Sequence, residues 1–323
     1  MSECTLVTGG SGFIGVHLLK ALARQGGEVI NYDVSFPSLE LQKLLHDVKD
    51  SVTFIKGNIL DLPHFISIVK ARNVQRIVHM AALFNAKESK QIPYYTHEVN
   101  DVGTLNVLET AKIFDLKRVV FISSISVYPG KQYEPMDEEH PILIPGIAHN
   151  QYGATKAVGE ILGLAYWYNN GVNFVALRFS GVFGYGMRAP LFIKTMVENS
   201  IRKEVTRFKT GGEFYRDYTY VKDCVNAVIC ALDADDRKLT KRVYLTTSGE
   251  FYSASQVARI VAEIIPGAQI EIRPELSDYE KKLAIGRGKL DISLAKNELG
   301  YEPKFKLREA IQDYVRMFRK LSS

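Results

Sequence analysis

The chain has 323 residues, 46% of them hydrophobic and 24% charged, enough apolar material for one large core or two ordinary ones; disorder, collagen-like repeats and small disulfide scaffolds are excluded. Its net charge of +5 is local, because residues 281–323 hold 11 basic and 5 acidic side chains while the remainder sums to −1, too mild to argue for a nucleic-acid partner. The three cysteines, Cys4, Cys224 and Cys230, match no complete disulfide set and no metal-ligand spacing, and no stretch nears the roughly 18 apolar residues of a membrane span, so a soluble protein of the reducing cytoplasm is expected.

In chain order, short β-branched runs at 5–8, 29–32, 52–55, 76–79, 118–122 and 174–177 alternate with helical patterns. They predict six parallel strands in an α/β, Rossmann-type doubly wound sheet. Helical spacing is strongest over 13–24, 93–114 and 152–168, with Pro93 suited to a first turn. After Arg178 the alternation stops. Gly184, Gly186, Pro190, Gly211 and Gly212 mark loops around a helix over 190–202, followed by helices over 221–232 and 254–265, a strand over 243–246, and closing helices over 292–299 and 307–321. The chain therefore divides into residues 1–178 and a smaller α/β region, 179–323, parts of which return to the first, with the ligand cleft between them.

The first strand runs into Thr8-Gly9-Gly10-Ser11-Gly12-Phe13-Ile14-Gly15 and then a helix. Strand, glycine-rich turn and helix start together make a dinucleotide-phosphate site: glycine allows the turn and the close approach of a pyrophosphate, and the free amides of the helix start face the anion. The second strand ends at Asp33, placed to accept hydrogen bonds from the adenosine ribose, and no Arg or Lys follows from Val34 to Gln42 to hold a 2′-phosphate. The expected cofactor is NAD rather than NADP. Asn58 and Ile59 follow the third strand, and Ala81 and Ala82 the fourth, at the carboxyl edge where a dinucleotide lies. His79, just before them, reads more simply as a packed core histidine.

The fifth strand ends in Ser123-Ser124-Ile125-Ser126-Val127-Tyr128, and a later helix opens with Tyr152-Gly153-Ala154-Thr155-Lys156. Tyr152 and Lys156 share one helical face. An ammonium beside a phenol favours phenolate, so Tyr152 serves as a base, with Ser124 orienting the same substrate oxygen. A lone Tyr-x-x-x-Lys match is usually a surface pair; combined with the glycine turn and the serine run in this order, it points to chemistry.

These features together resemble an extended short-chain dehydrogenase/reductase of the NAD-dependent epimerase/dehydratase group, and the resemblance covers nearly the whole chain. TGGSGFIG at 8–15, Asp33, HMAA at 79–82, Asn100, SSISVY at 123–128, YGATK at 152–156, LRFSGVFG at 177–184 and RDYTYVKD at 216–223 fall in family order. The resemblance implies Ser124, Tyr152 and Lys156 as the catalytic group. It further implies that Gly9, Gly12, Phe13, Ile14, Gly15, Asp33, Asn58, Ile59, Ala81, Ala82, Asn100, Ser123, Tyr152, Lys156 and Phe179 hold the cofactor. Ser124, Ser126, Tyr152, Gly181 and Arg216 would meet the substrate, with no metal. Homodimers built on the helices near 93–114 and 152–168 are common in such proteins.

Three departures shape the expected activity. Ser124-Ile125-Ser126 lacks the acidic pair of the family's dehydratases and the Glu of its sugar-nucleotide decarboxylases, which argues against both activities. Gly181 stands where an Asn contacts the substrate diphosphate in many nucleotide-sugar enzymes, whereas Arg216 matches an Arg that binds that group. Asn58 stands where an Asp is usual. The main expectation is a nucleotide-sugar epimerase; the alternatives are an NAD-dependent dehydrogenase of a free sugar, sugar acid or other secondary alcohol, and a non-catalytic NAD-binding regulator. Arg216 also has a plainer reading, a strand arginine paired with Asp217 or another nearby acid.

Overall fold

The structure, a computed structural model, describes residues 3–84 and 86–322. Seven parallel strands make the central sheet: β1 (Cys4–Thr8), β2 (Glu28–Asp33), β3 (Val52–Lys56), β4 (Arg76–His79), β5 (Arg118–Ser124), β6 (Phe174–Phe179) and β7 (Val243–Leu245). Their order is 7-6-5-4-1-2-3, so the winding reverses between β1 and β4, and the crevice at the carboxyl ends of those strands is where such sheets take ligands. Side-chain alternation supplies a core on each face: Val7, Val120 and Leu177 point to one side, Leu6, Phe121 and Phe174 to the other. Every residue of β1 and of β6 is buried, as expected of parallel strands covered on both sides.

The helix α1 spans Phe13–Arg24 and turns Val16, Leu18, Leu19 and Leu22 inward, matching the extent set by its apolar spacing. The long helix expected over 93–114 is interrupted. Pro93–His97 runs into a π-helical turn at Glu98–Val102 before α2 (Gly103–Ile113) resumes the α-helix. A π-turn adds a residue without ending the helix, so apolar spacing alone does not reveal it. The third major helix, α3 (Gln151–Asn170), is started by Asn150, whose side chain accepts a hydrogen bond from the Gly153 amide at 2.8 Å.

The strand near 243–246 is one of the parts that return: it joins the central sheet beside β6, paired with Ala176–Arg178, and makes the sheet seven strands where six were expected. Three residues are too few for alternation to betray their partner. The helix Val221–Asp233 likewise packs on α1. The remainder of the region after residue 178 carries three two-stranded ribbons. Gly181–Phe183 pairs in parallel with Tyr218–Tyr220, Tyr215–Arg216 antiparallel with Tyr252–Ser253, and Thr206–Phe208 in parallel with Ile270–Ile272. Among the described residues no helix is long and apolar enough to cross a membrane.

Candidate active site

At the glycine turn, Gly9 has φ +71°, and a Cβ there would lie 2.6 Å from the Ala81 amide nitrogen. Only glycine lets the β1 turn and the segment after β4 approach this closely. Gly12, exposed at the start of α1, has no side-chain cap, and the first turn of the helix carries no acidic residue. The amides at that helix start are thus left for an anion. Asp33 reaches the same turn from the end of β2: its carboxylate accepts from the Ser11 amide at 3.1 Å and the Ser35 amide at 3.2 Å, leaving lone pairs for ribose hydroxyls. Phe13 and Ile14 are half-buried in the first turn, Gly15 is buried, and Asn58 is exposed with its Oδ1 accepting from the Leu60 amide at 3.0 Å. These residues fit a dinucleotide.

Four residues expected at the cofactor have side chains that pack or bond within the protein. Ile59 is 5% exposed and packed in the core beneath Gly103. Ser123 points to the opposite face from Ser124, as strand neighbours must, and donates to Glu160 Oε1 at 2.5 Å. The Asn100 amide joins two segments: Nδ2 donates to Leu83 O at 3.1 Å and Thr155 Oγ1 at 2.9 Å, and Oδ1 accepts from the Leu83 amide at 2.8 Å. Phe179 is buried at the end of β6. These side chains brace the cleft wall. His79 is a core residue as expected, its ring nitrogens bonded to the Thr8 and Thr104 hydroxyls, and burial pulls it down to about 3.

The first turn of α3 docks on the loop after β5, where Gly153 lies so near Ser126 O that a Cβ would stand 2.3 Å from it. This contact brings Ser124 and Tyr152 together. The Ser124 hydroxyl accepts from the Ser126 amide at 3.1 Å and lies 3.2 Å from the Ser126 hydroxyl. Burial pushes the Tyr152 phenol up to about 12, against a hydrogen bond with Ser124 that lowers it. Lys156 is 3% exposed; its ammonium donates to Ile122 O at 2.7 Å and stands 5.7 Å from the centre of the Tyr152 ring. Burial brings Lys156 down to about 8, opposed by the carboxylates of Glu160 and Asp101. The ammonium therefore sits behind the phenol, the arrangement that lowers the cost of phenolate.

Arg216 has no acidic partner among the described residues. The Asp217 carboxylate is taken instead by the Thr219 hydroxyl, the Ser248 amide and hydroxyl, and the Gly249 amide, so the surface-pair reading fails. Arg216 lies over the Phe214 ring at 5.4 Å, and its charge reaches a second arginine, Arg287. Burial first, and then the charge of Arg216, pull Arg287 down, and its Nε is buried without a hydrogen-bond partner. Two arginines near enough for the charge of one to act on the other, neither ion-paired to a carboxylate among the described residues, offer a candidate site for a multivalent anion. Sequence reasoning missed Arg287, which lies in the basic run Lys281–Lys289 and looks there like part of a solvated surface. Gly181 gains a reason as well: a Cβ there would stand 2.6 Å from Arg216 Cδ and 2.9 Å from Asp217 O. It is the space occupied by the arginine stem. Among the described residues no group of three His, Cys, Asp or Glu is arranged to hold a metal.

Comparison with known proteins agrees with this geometry. The family model described as "NAD dependent epimerase/dehydratase family" matches residues 5–246. UDP-glucuronic acid decarboxylase 1 of Arabidopsis thaliana is 30% identical over 97% of this chain and 69% of its own length. Among solved structures, UDP-glucose 4-epimerase of Thermotoga maritima, with UDP-glucose, superposes with a TM-score of 0.84 at 25% identity over 99% of this chain and 100% of its own. The Thermus thermophilus UDP-glucose 4-epimerase, in complex with NAD, gives 0.79 at 27% identity over 98% and 99%. A nucleotide turn fit for NAD, a Tyr152–Lys156 pair beside Ser124 and a match over three-quarters of the chain lead to one conclusion: this protein belongs to the NAD-dependent epimerase/dehydratase family.

Proposed function

We propose that the protein epimerises a nucleotide sugar by reversible hydride transfer at a secondary hydroxyl. The observation that carries this reading is the Arg216–Arg287 pair. Gly181, against which Arg216 packs, lies just beyond β6, and the Ile285 carbonyl accepts from the Lys131 amide at 2.8 Å, close after the Ser124–Tyr128 run. The anion site and the Tyr152 site thus share one edge of the sheet, as a sugar joined to a diphosphate requires. NAD, when bound, supplies the two-electron acceptor and donor. Ser124 holds the sugar hydroxyl, Tyr152 Oη takes its proton and later returns it, and the Lys156 ammonium steadies the phenolate between the two transfers. Ser124-Ile125-Ser126 brings no carboxylate to this point, so elimination of water and decarboxylation lack their acid–base group.

UDP and UDP-sugars should bind the NAD-loaded protein in calorimetric titration, and Arg216→Ala should weaken them by about 10- to 100-fold, the worth of lost charge-assisted bonds. Gly181→Asn should weaken them too by displacing the arginine stem. Binding indifferent to both substitutions, with NADH formed from free sugars or sugar acids, would transfer the assignment to a dehydrogenase.

The segments 93–113 and α3, which pack against each other, expose Tyr94 (78%), Val102, Ile113, Ile161 and Tyr168 (82%). We further infer a homodimer that covers these exposed apolar side chains. Light scattering at micromolar concentration should return twice the chain mass; a monomer would refute the dimer. The free cysteines accord with a cytoplasmic setting.

A further inference from the structure

Lys156 is a buried ammonium, and Ile122 O is its hydrogen-bond partner. Its charge needs a carboxylate nearby. Among the described residues the acidic groups that act on it are Glu160, the larger influence, and Asp101; the Tyr152 phenol and the buried His79, on which its charge acts in turn, are the other titratable groups beside it. Glu160 is already spent: Oε1 accepts from the Ser123 hydroxyl at 2.5 Å and from Arg178 Nε at 2.9 Å, and Oε2 from Arg178 Nη2 at 2.6 Å. Asp101 is not. Its Oδ2 meets His97 Nδ1 at 2.6 Å, whereas its Oδ1 is buried with no hydrogen-bond partner.

The π-helical turn at Glu98–Val102 carries Asp101 and packs against α3. On its other side, His97 Nε2 lies 3.0 Å from Gln151 Oε1, one residue before Tyr152. When Nε2 donates to the Gln151 oxygen and Nδ1 to Asp101, His97 carries both hydrogens as an imidazolium, the form that its bond to Asp101 favours. Asp101 raises His97, and burial raises Asp101 against the bond from His97 and the charges of His97 and Lys156; among the described residues no other charged group acts on either.

We propose that Asp101, anchored by His97, is a positioning residue that keeps Lys156 in its ammonium form at the start of α3. With His97 protonated, the pair is neutral as a whole. As pH rises and His97 gives up its proton, the pair gains one negative charge beside Lys156. The ammonium is then held most firmly in the alkaline range where burial would otherwise strip it. The importance of Lys156 to the reaction rests on the proposed function; the charge link does not.

The test is Asp101→Asn, which keeps the acceptor for His97 and deletes the charge. In the NAD-free protein, with lysine side chains isotopically labelled and the Lys156 resonance assigned by Lys156→Arg, NMR titration should show Lys156 losing its proton about one pH unit lower than in the wild type. Asp101→Val, similar in volume and without a polar atom to strand, gives the same readout should the Asn variant not fold, and Asp101→Glu should restore the wild-type titration in part. The alkaline limb of the epimerisation rate should move down with the lysine. A Lys156 titration unchanged in both Asn and Val variants overturns the proposal whatever the activity. A lysine that shifts while the rate profile stays fixed upholds the charge link and counts against Lys156 in the proposed chemistry.

Discussion

Replacing Tyr152 with Phe should slow turnover by about 10²- to 10⁴-fold while leaving NAD binding little changed. The ring that stacks near Lys156 at 5.7 Å remains, and only the hydroxyl that moves the proton is lost. In the free protein that hydroxyl is held near 12 by burial, so it depends on the positive charges gathered behind it to act as a base near neutral pH. Rapid-mixing measurement of a single turnover, with calorimetry of NAD binding on the same samples, separates the two effects. A variant keeping more than about half the wild-type rate would mean that another group takes the proton.

The second large effect concerns stability. Arg178 and Glu160 form an ion pair at 2.6 Å in which both side chains are nearly inaccessible, 4% and 2% exposed. Arg178 also donates to the Tyr128 hydroxyl at 2.6 Å and to Glu138 O at 3.2 Å, joining β6 to α3 and to the loop after β5. Glu160→Gln leaves a guanidinium in the core without its counter-charge, and urea unfolding should show a loss of about 3–5 kcal/mol. Removing both charges, with Glu160→Leu and Arg178→Met together, should recover a large part of that loss, because the penalty arises from the stranded charge more than from the missing pair. A single variant less than about 1 kcal/mol below wild type would show that water reaches the site.

What the sequence made legible and what it hid differ by the distance over which the cause acts. The limits of α1 follow from local apolar spacing and the glycine turn before it, and the six main strands from runs of β-branched residues. The order of the glycine turn, the serine run and Tyr152–Lys156 was enough to single out the candidate site, since the first marks the β1-to-α1 junction and the other two the ends of the β5-to-α3 connection. The ribbons after residue 178 are two or three residues long and owe their existence to partners as much as 64 positions away, as with Thr206 and Ile270. The Arg178–Glu160 contact and the approach of Arg216 toward Arg287 are likewise made by the fold, with no trace in spacing. Ser123 and Asn100 illustrate the reverse. Both sit at the expected edge of the sheet, but strand alternation and the π-turn direct their side chains into the supporting wall. Gly181, which looked like the loss of a substrate contact, is the space that lets Arg216 lie where it does.

The claim that ties these observations together is that a diphosphate held by Arg216 and Arg287 presents its sugar to Tyr152, with NAD retained through the cycle. Its most direct test is to incubate the purified protein, without added cofactor, with each of a set of UDP-sugars and to follow the anomeric proton signals by NMR and NADH by absorbance. The expected result is conversion of one UDP-sugar to its epimer until equilibrium, with no free NADH accumulating. Stoichiometric NADH release on adding NAD and an unphosphorylated sugar or alcohol, with every UDP-sugar left unchanged, would contradict it.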